Sequence, residues 1–421
     1  MYDVLNCYLE NGLKIILHKI ADVKTISCGL WIKQGSSYET DDNNGLSHLT
    51  EHLLLNAKNL KNPEYKEVMQ EIEAEGVIYN ASTTKEYTCF YFTGLEKTID
   101  LCLTALACIA KDNRTFDRQF FENEKKVVLQ EATSFYSSFQ QIKERTGQAI
   151  WGNMGTGKII MGNMKNIAEA KPEHIQSLIK DAYVPENATL VVVGNIDYSG
   201  ILSMIEERFA GWKDDKVKVR ELEVESSPGI YLNQVTGASA VISIGFRSTS
   251  YSSADSMVVD MMTRILGETG MQSRIVQEIR IKRGLAYTTG GFASLYKKHG
   301  TLGFMAVCDK HKTTEVAKVM MDILVEAKEK GFTEEEIERE KRVMETSMLL
   351  SIDNITEHLR HIGRCNTMDQ DFFIENELRA IRNIEKGDVD GMAKEILQER
   401  NMGLAAIGEC NPDELIEAVA I

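Results

Sequence analysis

The chain repeats itself, and that repeat limits the folds open to it. Ile26-Ser27-Cys28-Gly29-Leu30-Trp31 and Ile242-Ser243-Ile244-Gly245-Phe246-Arg247 share a strand texture, their glycines 216 residues apart. Asn187-Ala188-Thr189-Leu190-Val191-Val192-Val193-Gly194 precedes a helix signal at Asp197. Asn401-Met402-Gly403-Leu404-Ala405-Ala406-Ile407-Gly408 precedes another at Asp413, with its closing glycine 214 residues beyond Gly194. Two landmarks at nearly one offset describe one fold made twice, since the period is far too long for a solenoid. The charged stretch Lys213–Ser227 divides a first domain, 1–212, from a second, 228–421.

Local signals in the first half set the fold class. Glu10-Asn11-Gly12-Leu13 is a hairpin turn, and Asn62-Pro63 starts a helix that ends at Gly76. Val77–Ser82 and Glu86–Leu95 read as paired strands. Helices are expected over Lys97–Lys111 and Asp117–Thr146, the second ending before Gly147. Strands and helices are grouped, not strictly alternating. The expected class is therefore α+β: two duplicated domains, each a mainly antiparallel sheet with helices packed on one face.

A net charge of −15 argues against a nucleic-acid partner, which needs a basic surface. No window approaches the apolar length of a membrane span, and no signal peptide is visible. The eight cysteines form no C-x-x-C pair and sit in apolar or mixed segments. They read as reduced thiols, and the expected location is cytoplasmic.

The chemistry concentrates in His48-Leu49-Thr50-Glu51-His52. On a helix from about Asn43 to Asn56, the three polar groups fall within about 100° of one another. Two imidazoles can hold Zn²⁺, and a neighbouring carboxylate can act as a general base. A third ligand must come from elsewhere. Glu124 and Glu131, seven apart, share one helical face beside Val127, Val128 and Ala132. That spacing suits either a metal carboxylate or an ordinary solvated acidic pair.

The sequence Gly45-Leu46-Ser47-His48-Leu49-Thr50-Glu51-His52-Leu53-Leu54, followed by Glu124-x6-Glu131, resembles the inverted-zincin peptidases. This is the pitrilysin, insulin-degrading enzyme and mitochondrial processing peptidase family. Leu9–Leu13, Gly35–Glu39 and Tyr183-x-Pro185-x-Asn187 match as well, so the likeness runs through the first domain. It implies one Zn²⁺ per chain on His48, His52 and Glu131, with Glu51 as general base and Glu124 as a helper near the metal. In the second domain, Arg280-x6-Tyr287 is similar to the family's substrate- and oxyanion-contacting pair. Asn80, Ala81 and Ser82 resemble the edge strand to which a peptide substrate adds.

The implied function is a zinc metalloendopeptidase acting on peptides or short unfolded polypeptides in an enclosed chamber, a processing or leader peptidase for example. The implied assembly is a homodimer in which Arg280 and Tyr287 complete the partner's site, or a heterodimer with a related subunit. The alternative is a non-catalytic or partner-dependent subunit of a heterodimeric processing peptidase. The chain departs from the family after the motif, where Leu54-Leu55-Asn56-Ala57 replaces an aromatic residue and a Gly-Thr pair, and at Thr50, which is usually apolar. His358 and His361 lack a matched carboxylate and read as packing histidines.

Overall fold

The computed structural model describes residues 3–56, 60–111, 115–212, 217–218, 225–251, 255–268 and 270–420. The stretch expected to link the domains, Lys213–Ser227, lies largely outside them. The chain forms two compact units. The first comprises Met1–Ser134, Lys158–Leu222 and Leu350–Phe372; the second comprises Phe135–Gly157, Glu223–Leu349 and Phe373–Ile421. Each half of the sequence therefore lends a segment to the other half's unit.

The first unit is built on β1 (Asp3–Tyr8), β2 (Lys14–Lys19), β3 (Thr25–Ile32), β4 (Ile78–Thr83), β5 (Thr88–Leu95) and β6 (Ala188–Gly194). Their order across the sheet is β1-β2-β6-β3-β5-β4, antiparallel except for β2 against β6. The second unit holds β7 (Ile230–Asn233), β8 (Ser239–Ser248), β9 (Ala286–Leu295), β10 (Gly300–Asp309) and β11 (Met402–Ile407). Here the order is β7-β11-β8-β10-β9, antiparallel except for β11 against β7. Without β1, the first sheet runs in the same order as the second, so the duplication is one of topology. The expected α+β class with two like domains is the observed one. Among the described residues, no helix is long and apolar enough to cross a membrane.

Both faces of the central strands of the first sheet are covered. One face carries Ile15, Leu17, Cys28, Leu30, Phe90, Phe92, Leu190 and Val192 into the main core. That core is closed by α1 (Leu46–Leu55), α2 (Pro63–Ala74) and α3 (Ile99–Lys111). The opposite face receives helix Ile355–Thr367 from the second half of the sequence. Gly363 brings that helix down onto the Trp31 indole, where a Cβ would lie 2.1 Å from the ring. Thr189 Oγ1 bonds Asn366 Oδ1 at 2.8 Å, and His18 Nδ1 bonds His358 Nε2 at 2.8 Å. Cover on both faces explains why β3 and β6 are apolar along their length instead of alternating.

One expected helix is corrected. Asp117–Thr146 is two helices, α4 (Arg118–Tyr136) and α5 (Ile142–Trp151), and Gly147 lies inside the second. The break is made by Ser138, whose Oγ accepts the Gln140 N–H at 3.3 Å and caps a tight turn over Phe139–Gln141. At this break the chain leaves the first unit. On the second sheet, α5 is fixed by Thr146 Oγ1 bonding Ser243 Oγ at 2.7 Å and Trp151 Nε1 donating to Thr301 Oγ1 at 2.9 Å. A glycine inside a helix costs about 1 kcal/mol, too little to end one.

Candidate metal centre

The motif helix α1 is held at its N-terminus before any catalytic group is placed. Gly45 precedes it at φ +106°, a conformation that disfavours a side chain. Gly162 packs so closely that its Cβ would sit 2.1 Å from the Gly45 Cα. The buried Glu39 carboxylate accepts the Gly45 N–H at 2.9 Å, the Ser47 N–H at 2.6 Å and Asn44 Nδ2 at 2.9 Å. It thereby satisfies donors that the helix start leaves unpaired, with its charge at the favourable end of the helix dipole. Burial still pushes the Glu39 carboxyl above its ordinary range.

From that anchored turn, α1 sends Leu46, Leu49, Leu53 and Leu54 into the core and turns His48, Glu51 and His52 toward α4. The imidazoles stand edge to face, with centroids 4.8 Å apart. Glu131 Oε2 lies 3.2 Å from His52 Nε2 and 3.8 Å from His48 Nε2. One donor atom from each of these three residues falls within 4.8 Å of the other two. Tetrahedral zinc with bonds of about 2.1 Å separates its donors by about 3.3 Å, so the set fits that ion. Among the described residues, this is the one such group of three or more. The Glu131 side chain is 44% exposed, so the donor set faces solvent on that side.

Glu124 takes a different place from Glu131. Its Oε1 lies 3.1 Å from His52 Nδ1, and Asn56 Nδ2 donates to its Oε2 at 3.4 Å. The two α4 carboxylates thus address opposite nitrogens of one imidazole. With Nδ1–H bonded to Glu124, the His52 Nε2 lone pair faces Glu131 and a metal. His48 Nδ1 has no hydrogen-bond partner among the described residues.

The electrostatics suit ligation. Burial, then the charge of His52, lowers His48 to about 3, so it is neutral at any ordinary pH. Burial would also lower His52, but the Glu124 hydrogen bond and the charges of Glu131, Glu51 and Glu124 outweigh it and raise the metal-free imidazole. Burial raises the Glu51 carboxyl against a hydrogen bond from Thr83 and the charge of His52. A carboxylate made more basic in this way is a better proton acceptor.

These residues open on a cleft of about 630 Å³. Its wall is Glu51, His52, Glu124 and Glu131 on one side and Lys66, Gln70 and Glu73 of α2 on the other, over Leu55 and Met69. Tyr79 and Asn80 of β4 form the rim. Among the described residues β4 pairs only with β5, so one of its edges is unpaired there. Thr84 N–H donates to Tyr87 O, which gives the even positions of β4 to β5 and leaves Tyr79, Ala81 and Thr83 on the open edge. Of the three expected substrate contacts, Ala81 therefore turns its backbone groups to the open edge, with its N–H donated to the Asn80 side chain. Asn80 and Ser82 turn their backbone groups to β5, and Asn80 Oδ1 accepts the Ala81 N–H at 2.9 Å.

Arg280 and Tyr287 belong to the second unit. Arg280 lies in the helical turn Val276–Lys282, and Tyr287 in β9, an edge strand, with 80% of its surface exposed. The guanidinium sits 4.6 Å from the Tyr287 ring centroid. Two residues at the site were not singled out by the sequence for a role there: Glu39, visible only as part of a matching flank, and Thr83. Thr83 carries one signal, its share of a strand face with Tyr79 and Ala81 at a period of two.

Residues 14–163 match the sequence model described as insulinase, peptidase family M16, and residues 170–344 match the one described as the peptidase M16 inactive domain. The chain is 27% identical over 402 residues to the uncharacterized zinc protease YmxG of Bacillus subtilis, covering 93% of this chain and 95% of that protein. An uncharacterized zinc protease of Rickettsia felis is 28% identical over 391 residues, covering 92% and 93%. In fold, the chain is similar to the crystal structure of a protease from Helicobacter pylori, at a TM-score of 0.89 and 17% identity, over 97% of this chain and 99% of that one. With its motif helix, its second acidic helix and its duplicated sheet all in place, the chain belongs to peptidase family M16, the insulinase family.

Proposed function

We propose that this protein is a zinc-dependent endopeptidase that cleaves peptides or short unfolded polypeptides bound as an added strand on β4. The observation that carries this reading is the convergence of His48, His52 and Glu131 beside the buried Glu51. One zinc per chain, held by those three residues, would supply a Lewis acid for the scissile carbonyl and for a water. Glu51 accepts the proton of the attacking water and returns it to the leaving amine. Glu124 keeps His52 in the ligating tautomer. The peptide pairs with the open edge at Ala81, which places its backbone next to Glu51 and reads extended shape more than side chains. In a homodimer, Arg280 and Tyr287 of one copy would donate to the developing oxyanion in the other. A processing or leader peptide is one substrate that binding as an added strand would admit.

The alternative is a non-catalytic or partner-dependent subunit of a heterodimeric processing peptidase; the convergence of His48, His52 and Glu131 beside Glu51 supports the catalytic reading over a non-catalytic one. Glu51→Gln tests the proposal: it should retain zinc and lose peptide cleavage. Normal cleavage by that variant, or wild-type cleavage that a chelator leaves untouched, would sink it.

A further inference from the structure

Among the described residues, Thr83 is the one whose side chain hydrogen-bonds the Glu51 carboxylate. Thr83 Oγ1 donates to Glu51 Oε2 at 2.7 Å, and the Thr83 backbone N–H also points to this carboxylate. Thr83 is the last residue of β4, and its N–H is the last donor on the open edge. The edge on which a peptide would pair therefore ends at the base itself.

Behind Thr83 lies a buried cluster of polar groups. Thr83 Oγ1 lies 3.3 Å from Thr88 Oγ1, which donates to the Gln34 carbonyl at 2.8 Å. Gln34 Nε2 donates to Ser47 Oγ at 2.9 Å, and the Ser47 N–H donates to Glu39. Thr83, Thr88, Gln34 and Ser47 are all buried. These buried groups run from Glu51 of α1 past β4, β5 and the segment that follows β3, and reach α1 again at Ser47, next to His48. With both hydroxyl protons committed, to Glu51 and to the Gln34 carbonyl, Thr83 and Thr88 meet only in contact, and Thr83 is the residue that joins the base to the edge strand.

We propose that Thr83 is a positioning residue that aims the Glu51 carboxylate and ties its orientation to the strand that receives the peptide. This rests on the zinc-peptidase reading. The side chain does no chemistry on the substrate; it removes one degree of freedom from the group that does. A general base displaced by about an ångström loses on the order of tenfold to a hundredfold in rate. The backbone N–H survives any side-chain change, so the lower figure applies.

The test is Thr83→Val, which keeps the shape and removes the hydroxyl, beside Thr83→Ser, which restores it. Thr83→Val should lower kcat about tenfold with KM within about twofold of wild type. Its zinc content and melting temperature should match those of Thr83→Ser, and Thr83→Ser should turn over within about twofold of wild type. A crystal structure of metal-free Thr83→Val should show the Glu51 carboxylate rotated from its place. Wild-type kcat in Thr83→Val, while Glu51→Gln is inactive, overturns this inference and leaves the peptidase reading standing. A loss shared equally by Thr83→Ser, or accompanied by loss of zinc, also overturns it, because the role would then be packing. Normal cleavage by Glu51→Gln removes the peptidase reading and this inference with it.

Discussion

Glu124 does not ligate in this geometry; it holds His52, and its removal should weaken zinc without abolishing binding. The contact is one charge-assisted hydrogen bond of 3.1 Å between groups whose side chains are 18% and 15% exposed. A hydrogen bond to an ionised partner contributes about 1.5–3 kcal/mol, and each 1.4 kcal/mol is about tenfold in affinity. Glu124→Ala should therefore weaken zinc by about 10- to 100-fold, the range found for partners of metal-bound histidines. Glu124→Gln keeps an acceptor but loses the charge, and should fall near tenfold. Competition with a chromophoric chelator at fixed pH reads both, with Glu131→Ala as the reference for losing a ligand outright. Unchanged zinc affinity in Glu124→Ala would refute the argument. So would a loss as large as that of Glu131→Ala, which would make Glu124 a ligand.

Glu39→Ala strands the buried Gly45 and Ser47 N–H groups at about 1–3 kcal/mol each, while Asn44 Nδ2 keeps the Ile159 carbonyl, so urea unfolding should show a loss of about 2–6 kcal/mol. That is a large part of ordinary domain stability, and an unshifted urea midpoint would contradict the role given to this carboxylate. His18 of β2 with His358 and His361 of helix Ile355–Thr367 make the first unit acid-sensitive. Burial, with the charge of His358, holds His18 down at about 3, and burial first of all holds His358 and His361 at about 4. Unfolded histidine titrates near 6.5, so the unfolded chain binds more protons between pH 6.5 and 4. Stability should be full above about pH 6.5 and fall by about 2 kcal/mol per imidazole by pH 5. Urea midpoints at pH 7 and pH 5 should converge in His358→Gln relative to wild type, and equal slopes would count against it.

Much of the site was legible because it is helical. Four-residue spacing brings His48 and His52 together on any helix, and seven-residue spacing does the same for Glu124 and Glu131. Spacing alone left open whether that acidic pair was anything more than solvated surface; the ligand and the helper came from the resemblance. Asn62 and Pro63 marked the start of α2 for a local reason: the Asn62 side chain accepts the Tyr65 N–H at 3.1 Å. Glu39 and Thr83 were not legible in this way. Their partners lie on other elements, and no short window relates Thr83 to Glu51 across 32 residues. Position parity on β4 was legible in principle, but which parity faces β5 depends on the turn at Thr84–Tyr87. The break at Ser138 was hidden by a helical pattern that continues on both sides of it. Nothing local records that the second helix lands on a different sheet.

The loan of Leu350–Phe372 to the first unit has a consequence for synthesis. One face of the first sheet, with Ile16, Trp31, Tyr91, Val191 and Val193, stays uncovered until the chain has been made through residue 372. An emerging polypeptide in that state presents a broad apolar surface of the kind that aggregates or recruits chaperones. Neither half of the sequence is a folding unit by its own means. A nick or a gene split at the apparent boundary would yield two fragments that need each other, like the two strands of a clasp. The first unit, where the metal donors sit, is thus finished only once nearly the whole protein exists.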